Sequence, residues 1–131
     1  MGKTDWLEVL GWDKEQLEDI RNAGYAYIRQ GKYEIALSFF KALVVLNPHG
    51  SYDLQTLGAL YLQTGDAELA VKYLDLALQL DADHSPTLLN LAKAKLMMGK
   101  KDEGLKLAKM LEKDPDRSIS RTAKALILAH S

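Results

Sequence analysis

The sequence predicts an all-α fold, a solenoid of three helix-turn-helix repeats with a capping helix at each end. Gly31, Gly65 and Gly99 stand 34 residues apart, and this period is typical of paired-helix repeats. Small residues recur at two further offsets of the same period: Gly24, Gly58 and Ala92, and Ala36, Ala70 and Gly104. No segment alternates apolar and polar residues over the length of a strand, so we predict no β-strands.

Length and composition indicate one soluble domain. The chain has 131 residues, of which 47% are apolar, and its 17 basic residues are balanced by 18 acidic ones. This balance predicts neither a nucleic acid nor an acidic membrane as partner. The chain has no cysteine, no N-terminal segment of the signal-peptide type and no apolar run of the ~18 residues that span a membrane. We therefore expect a cytoplasmic protein.

The first element is a short amphipathic helix between Thr4 and Trp12, which Gly11 ends. Two interpretations stay open for its apolar side chains, a simple cap on the first repeat or the interface of a homodimer. The candidate interface residues are Trp6, Leu7, Val9 and Leu10.

In repeat one, Asp13 and Gln16 have the spacing of a capping box and predict a helix to about Gln30. Gly31 ends that helix because the left-handed conformation of a C-terminal cap is least costly for glycine. A second helix over 33–46 closes at Asn47 and Pro48.

Repeat two follows the same order. Ser51 or Asp53 is expected to cap a helix that ends at Gly65, and Asp66 to cap a helix over 67–80.

Repeat three has one helix that ends at Gly99 and one over 101–111. Gly104 replaces the alanine of the earlier repeats at a helix-propensity cost of about 1 kcal/mol, so we expect this repeat to be less stable. A break at Asp114, Pro115 and Asp116 precedes a last helical stripe. The predicted boundaries within the single domain are 1–16 for the N-terminal helix and cap, 17–50, 51–84 and 85–118 for the repeats, and 119–131 for the C-terminal capping helix.

The spacing of the apolar and small residues resembles the tetratricopeptide repeat pattern. Repeat one carries it at Ile20, Ala23, Gly24, Tyr27, Gly31, Ala36, Phe40 and Pro48, and repeat two at Leu54, Leu57, Gly58, Tyr61, Gly65, Ala70, Leu74 and Ala77. In that family, four positions of the first helix of each repeat face the concave side. Carried over, they give twelve inward-facing positions, among them Glu18 and Pro86. The other ten form the predicted partner-binding groove: Arg21, Tyr25, Ile28, Tyr52, Gln55, Ala59, Leu62, Leu89, Lys93 and Leu96. The alternative is that these side chains pack against neighbouring helices or a terminal segment.

A narrower resemblance is to the tetratricopeptide class of type III secretion chaperones, which includes the LcrH/SycD family. It is carried by 31–36, by Phe40, Leu43 and Pro48, and by 57–59 with Gln63. The resemblance implies a bacterial cytoplasmic chaperone that holds an extended segment of a secreted translocator or needle subunit until export, with a co-chaperone in a related branch. A general scaffold for protein assemblies with the same fold is the alternative.

The carboxylate clamp of repeat domains that bind heat-shock chaperones is mostly missing. Arg21 stands at one basic position, but Tyr25 and Thr56 replace asparagines, Pro86 replaces a lysine, and Asn90 stands where arginine is expected. A C-terminal carboxylate would be held poorly.

No residue pattern predicts catalysis, a metal or a cofactor. His49, His84 and His130 are isolated, and there is no phosphate-binding glycine loop or triad-like order. We interpret Met97 and Met98 as core filling. The lysine run of repeat three is interpreted as a solvated face or as a contact for an acidic stretch of the cargo.

Overall fold

A computed structural model describes residues 4–131 of the chain. Over these residues the secondary structure is helical throughout, with no strand. The helices are α1 (Trp6–Leu10), α2 (Lys14–Arg29), α3 (Tyr33–Leu46), α4 (Ser51–Gln63), α5 (Ala67–Leu80), α6 (Ser85–Met97), α7 (Lys101–Leu111) and α8 (Arg117–His130). The predicted all-α repeat fold is confirmed, and the last helix begins two residues before the predicted start of the C-terminal cap.

Each repeat is a helix pair, α2 with α3, α4 with α5 and α6 with α7, and α8 packs on the last pair. From α2 onward, contacts between helices link sequence neighbours and the inner helices α4, α6 and α8, as a solenoid requires, while α1 packs on α3. The spacing of the inner helices is uneven. The Cα atoms of α4 and α6 approach within 8 Å, whereas none of α2 comes that close to α4.

The helix ends follow the predicted caps with one exception. The Asp13–Gln16 capping box is present, Asp66 caps α5, and the turn glycines Gly31, Gly65 and Gly99 are left-handed. The prediction that Ser51 or Asp53 caps α4 is wrong. Gly50 is the capping residue and provides no side chain, because Asp53 is turned inward and bonds to α2 instead.

Two apolar clusters form the core. The larger one spans α2 to α6 and is centred on Phe40, Leu43, Leu57 and Leu74, which are all fully buried. The smaller one joins α6, α7 and α8 through Leu89, Leu111, Ile119 and Ala123. The C-terminal helix therefore closes the solenoid where a fourth repeat would continue it.

Candidate binding groove

The inner face is formed by successive first helices of the repeats, α2, α4 and α6, with α8 at the end. It carries two cavities. The first, which we name the polar pocket, lies between α2, α4 and α6 and has a volume of about 190 Å³. Its lining residues are Tyr25, Tyr52, Gln55, Thr56, Ala59, His84, Pro86, Thr87 and Asn90.

The second cavity, the apolar pocket, lies between the C-terminal halves of α4, α6 and α8 and has a volume of about 310 Å³. Its lining residues are Leu62, Lys93, Leu96, Met97, Leu126 and His130. Seven of the ten predicted groove residues thus line one of the two pockets.

One wall of the polar pocket is formed by an aromatic ring packed edge-on against the core and by two hydrogen bonds. The ring of Tyr25 meets the fully buried Phe40 edge-on, with ring centroids 5.2 Å apart. This packing directs the Tyr25 hydroxyl to the hydroxyl of Thr56, 3.3 Å away. Thr56 Oγ1 in turn donates to the Tyr52 carbonyl at 2.9 Å, so the two tyrosines and the threonine form one hydrogen-bonded wall.

On the α6 side of this pocket, His84 Nδ1 and Thr87 Oγ1 lie 2.7 Å apart. In the part of the chain that the structure describes, no buried side-chain polar atom lacks a hydrogen-bond partner. The pocket therefore offers satisfied hydroxyls and two side-chain amides, which suit the backbone of an extended chain better than a charged group.

Arg21 stands beside the polar pocket but does not present a free cation. Its guanidinium makes a bidentate contact with Asp53, with Nε–Oδ1 at 2.7 Å and Nη2–Oδ2 at 2.9 Å, and its Nη1 lies 2.6 Å from Glu18 Oε2. The hydrogen bond to Asp53 is the main reason that the pKa of Arg21 is raised, against the opposing effect of burial. Asp53 is only 1% exposed. The pair spans the gap between α2 and α4.

Two other predicted groove residues lie outside the pockets. Ile28 is half-buried and packs against the main core cluster. Leu89 is buried in the C-terminal cluster with Ile119 and Ala123, because α8 covers this face of α6. Leu89 therefore follows the alternative expected from the sequence, in which a groove residue packs against a terminal segment.

Pro86 lines the polar pocket, as its inward-facing position in the repeat predicted. Several other lining residues were not among the predicted groove residues: Thr56, His84, Thr87, Asn90, Met97, Leu126 and His130. Those on α4 and α6 stand next to predicted positions or one turn away, so a wider helical stripe would have included them. The contribution of α8 has no such signal, because it depends on where the capping helix docks. The interpretation of Met97 as core filling is wrong, since its side chain is 54% exposed.

A further cavity, of about 680 Å³, lies on the other side of the molecule, between the N-terminal segment and the second helices α3 and α5. Trp6 lines it together with the exposed apolar side chains Val45, Leu76 and Leu80. The predicted dimer residues of α1 divide between two environments. Leu7 packs against the core, whereas Trp6, Val9 and Leu10 are exposed.

Residues 4–131 contain no group of three metal-binding side chains. None of their helices combines the length and the apolarity needed to cross a membrane.

Comparison with known proteins identifies the repeats. A tetratricopeptide repeat family model matches residues 61–127, and a second tetratricopeptide repeat model matches residues 22–49. No curated protein is significantly similar to this chain in sequence.

Among solved structures, the chain is similar to the Yersinia enterocolitica type III secretion chaperone SycD in complex with a peptide of the translocator YopD. That match has 22% identity and a TM-score of 0.80, covering 89% of this chain and 93% of SycD. A second match is PcrH, a protein of Pseudomonas aeruginosa, in complex with the chaperone binding region of PopD. It has 21% identity and a TM-score of 0.76, covering 91% of this chain and 93% of PcrH. The first repeat domain of Spaghetti (RPAP3), bound to an HSP90 peptide, matches at 18% identity and a TM-score of 0.77. This match covers 89% of this chain and 94% of the Spaghetti chain. At these identities the likeness establishes the fold.

Proposed function

This chain belongs to the tetratricopeptide repeat family, and from that premise we propose that it is a bacterial cytoplasmic chaperone of a type III secretion system. It holds an extended segment of a secreted translocator or needle subunit on its inner face and keeps that protein soluble until export. The proposed role is binding without catalysis.

The observation that carries this proposal is the open inner face. The two pockets follow one another along α4 and α6, and they expose aromatic and aliphatic side chains with few charges. Tyr52 is 69% exposed and lies beside Tyr25 and Pro86 at the polar pocket, where its ring offers contact area to a partner. Several shallow contacts of this kind suit an extended segment, whose ordering on binding keeps the affinity moderate.

The fold supports the same role, because SycD and PcrH were solved with translocator segments bound. The scaffold alternative has support from Spaghetti, which carries an HSP90 peptide on the same fold. Its acidic peptide ligand would be a poor match here. Arg21 is already neutralised by Asp53 and Glu18, and no lysine or arginine lines the polar pocket.

Capture from the cytosol of the source organism tests the proposal. Immobilised wild-type protein should retain one or two secreted, membrane-active or needle-like proteins, identified by mass spectrometry. The Tyr25→Ala/Tyr52→Ala variant should lose them, because it removes the wall of the polar pocket. Val45→Ala is the control, since Val45 is 58% exposed and lies outside both inner-face pockets, in the cavity beside α3 and α5.

Three outcomes separate the candidate functions. Loss of a secreted protein in the tyrosine variant alone supports the chaperone role. Capture of a cytosolic assembly, also lost in that variant, makes the protein a scaffold. Retention by the tyrosine variant rules out the polar pocket as the binding site.

The exposed residues of α1 support a second proposal, that a protein partner docks there as a second copy of this chain or as a co-chaperone. Sedimentation velocity over a dilution series tests the homodimer. We expect a concentration-dependent dimer that Trp6→Ala weakens, because Trp6 is the largest exposed apolar side chain of this helix. A monomer at every concentration would exclude the homodimer, and the remaining roles of α1 would be docking of a co-chaperone or capping of the first repeat.

A further inference from the structure

The apolar pocket differs from the rest of the inner face because α8 forms one of its walls. The N-terminal half of α8 is packed tightly onto α6 and α7, with Ile119 and Ala123 buried. Its C-terminal half contributes Leu126 and His130 to the pocket instead. The capping helix therefore closes the core at one end and lines an open cavity at the other.

The cavity has the size and chemistry of a side-chain anchor site. Its volume of about 310 Å³ is at the small end of the range for ligand pockets. Leu62, Leu96 and Leu126 come from three different helices and converge on it, and Met97 stands exposed at its edge. Methionine adapts to side chains of different shape, so the pocket suits a bulky aliphatic or aromatic group.

Lys93 gives this pocket a positive charge. No carboxylate lines the cavity, and among residues 4–131 Lys93 makes no ion pair. Lys95, two residues further along α6, lies 3.6 Å from Glu103 and outside the cavity. The residue Lys93 is half-buried, and a charge beside apolar walls attracts a carboxylate more strongly than a fully solvated one does.

We propose that the apolar pocket is an anchor subsite, which takes a bulky apolar side chain of the bound segment while Lys93 pairs with an aspartate or glutamate beside it. This inference rests on the proposed function and adds the chemistry of the cargo. Successive residues of an extended chain advance by about 3.3 Å. Because Lys93 lines the same cavity, the acidic residue lies within one or two positions of the apolar one.

Selection from a phage-displayed library of random dodecapeptides tests the subsite directly, whatever the natural cargo is. Wild-type protein should enrich peptides in which a large apolar residue stands within two positions of an acid. The Lys93→Glu variant should reverse the preference and enrich lysine or arginine at that position. Lys93→Arg should keep the acidic preference, since the charge is retained.

A matched pair of methionine variants tests the apolar part. Met97→Glu places a carboxylate at the pocket and should weaken a selected peptide by about tenfold or more. Met110→Glu is the control, because Met110 is 63% exposed on α7 and lies outside the pocket. Circular dichroism and thermal melting should match the wild type for both variants, which excludes unfolding as the cause of lost binding.

The outcomes distinguish this inference from the proposed function. Peptides that bind through Tyr25 and Tyr52 but are indifferent to Lys93→Glu and Met97→Glu would overturn the anchor subsite and leave the inner face as the binding surface. Failure of the wild type to select any peptide would overturn both.

Discussion

The polar and the apolar pocket lie on the same face of the same helices, yet they are built in opposite ways. Around the polar pocket the helices α2 and α4 stand apart, and the charged pair Arg21–Asp53 fills the space between them. Around the apolar pocket the inner helices come closer, aliphatic side chains line the cavity, and Lys93 has no partner among residues 4–131. Equivalent offsets in a repeat array therefore do not perform equivalent roles. The charge of Arg21 joins two repeats through Asp53, so it cannot also pair with a ligand.

The largest effect should come from breaking the Arg21–Asp53 pair. Asp53→Ala removes the carboxylate that two guanidinium nitrogens contact and leaves Arg21 half-buried with only Glu18. We expect the free energy of unfolding to fall by about 3 kcal/mol, because one charge of a buried pair becomes uncompensated. Urea denaturation followed by circular dichroism measures this loss.

Two controls show whether the loss belongs to the buried pair. Glu18→Gln removes the exposed partner and should change the stability by less than about 1 kcal/mol. The double variant Arg21→Met/Asp53→Leu should recover most of the loss, since an apolar pair of similar size can replace a buried ion pair. If Asp53→Ala were as stable as Glu18→Gln, the pair would not join α2 to α4.

The next largest loss of stability should come from Gly58, a position where the two helices of repeat two pack closely together. A Cβ atom at Gly58 would lie 2.7 Å from two carbons of Leu74, which is fully buried and cannot move aside. Gly58→Ala should therefore destabilise the protein by about 1–3 kcal/mol through overpacking. Denaturant titration of this variant beside the wild type measures the difference.

Gly104→Ala is the corresponding test in α7, which packs on Leu96 of the apolar pocket. Its Cβ would lie 2.7 Å from Leu96 Cγ and 3.2 Å from the Ala92 carbonyl oxygen, but Leu96 is half-buried and borders the cavity, so its side chain can move into that space. The helix propensity of alanine, about 1 kcal/mol better than glycine, offsets part of the strain. We expect a smaller loss of stability than for Gly58→Ala, together with weaker peptide binding. An equal loss for both variants would contradict the difference in packing freedom between the two pockets.

The helices and their limits were predictable from the sequence because they depend on local signals, of which the turn glycines recur every 34 residues. Left-handed Gly31, Gly65 and Gly99 and the caps Asp13 and Asp66 act within one or two turns of their own helix.

The composition of the groove was less predictable because it depends on contacts between repeats. In the sequence, Asp53 has the features of an N-terminal cap. In the fold it instead pairs with Arg21, which lies 32 residues earlier in the chain, and no local pattern indicates that contact. Leu89 matches a concave position by offset but is covered by α8, whose docking direction no local pattern specifies. The wall that Leu126 and His130 add to the apolar pocket has the same origin.

The smallest effect should come from the connection that positions α8. Asp114 accepts a hydrogen bond from Ser85 Oγ at 2.6 Å and from the backbone nitrogen of Asp116 at 2.9 Å, so it joins the start of α6 to the cap of α8. These two bonds, the one from Ser85 first, lower the pKa of Asp114 below its ordinary value of 3.8.

A carboxyl group with a lowered pKa in the folded state stabilises the protein above its ordinary pKa, and this contribution disappears as the pH falls through the folded-state value. At pH 7, Asp114→Asn should therefore unfold at a lower denaturant concentration than the wild type, and the two midpoints should converge as the pH is lowered below 3.8. Because Asp114 is solvent-accessible, we expect a shift smaller than that of either glycine variant. A midpoint difference that stayed constant with pH would assign the effect to lost packing and leave the ionised carboxylate without a role in docking α8, the helix that completes the apolar pocket.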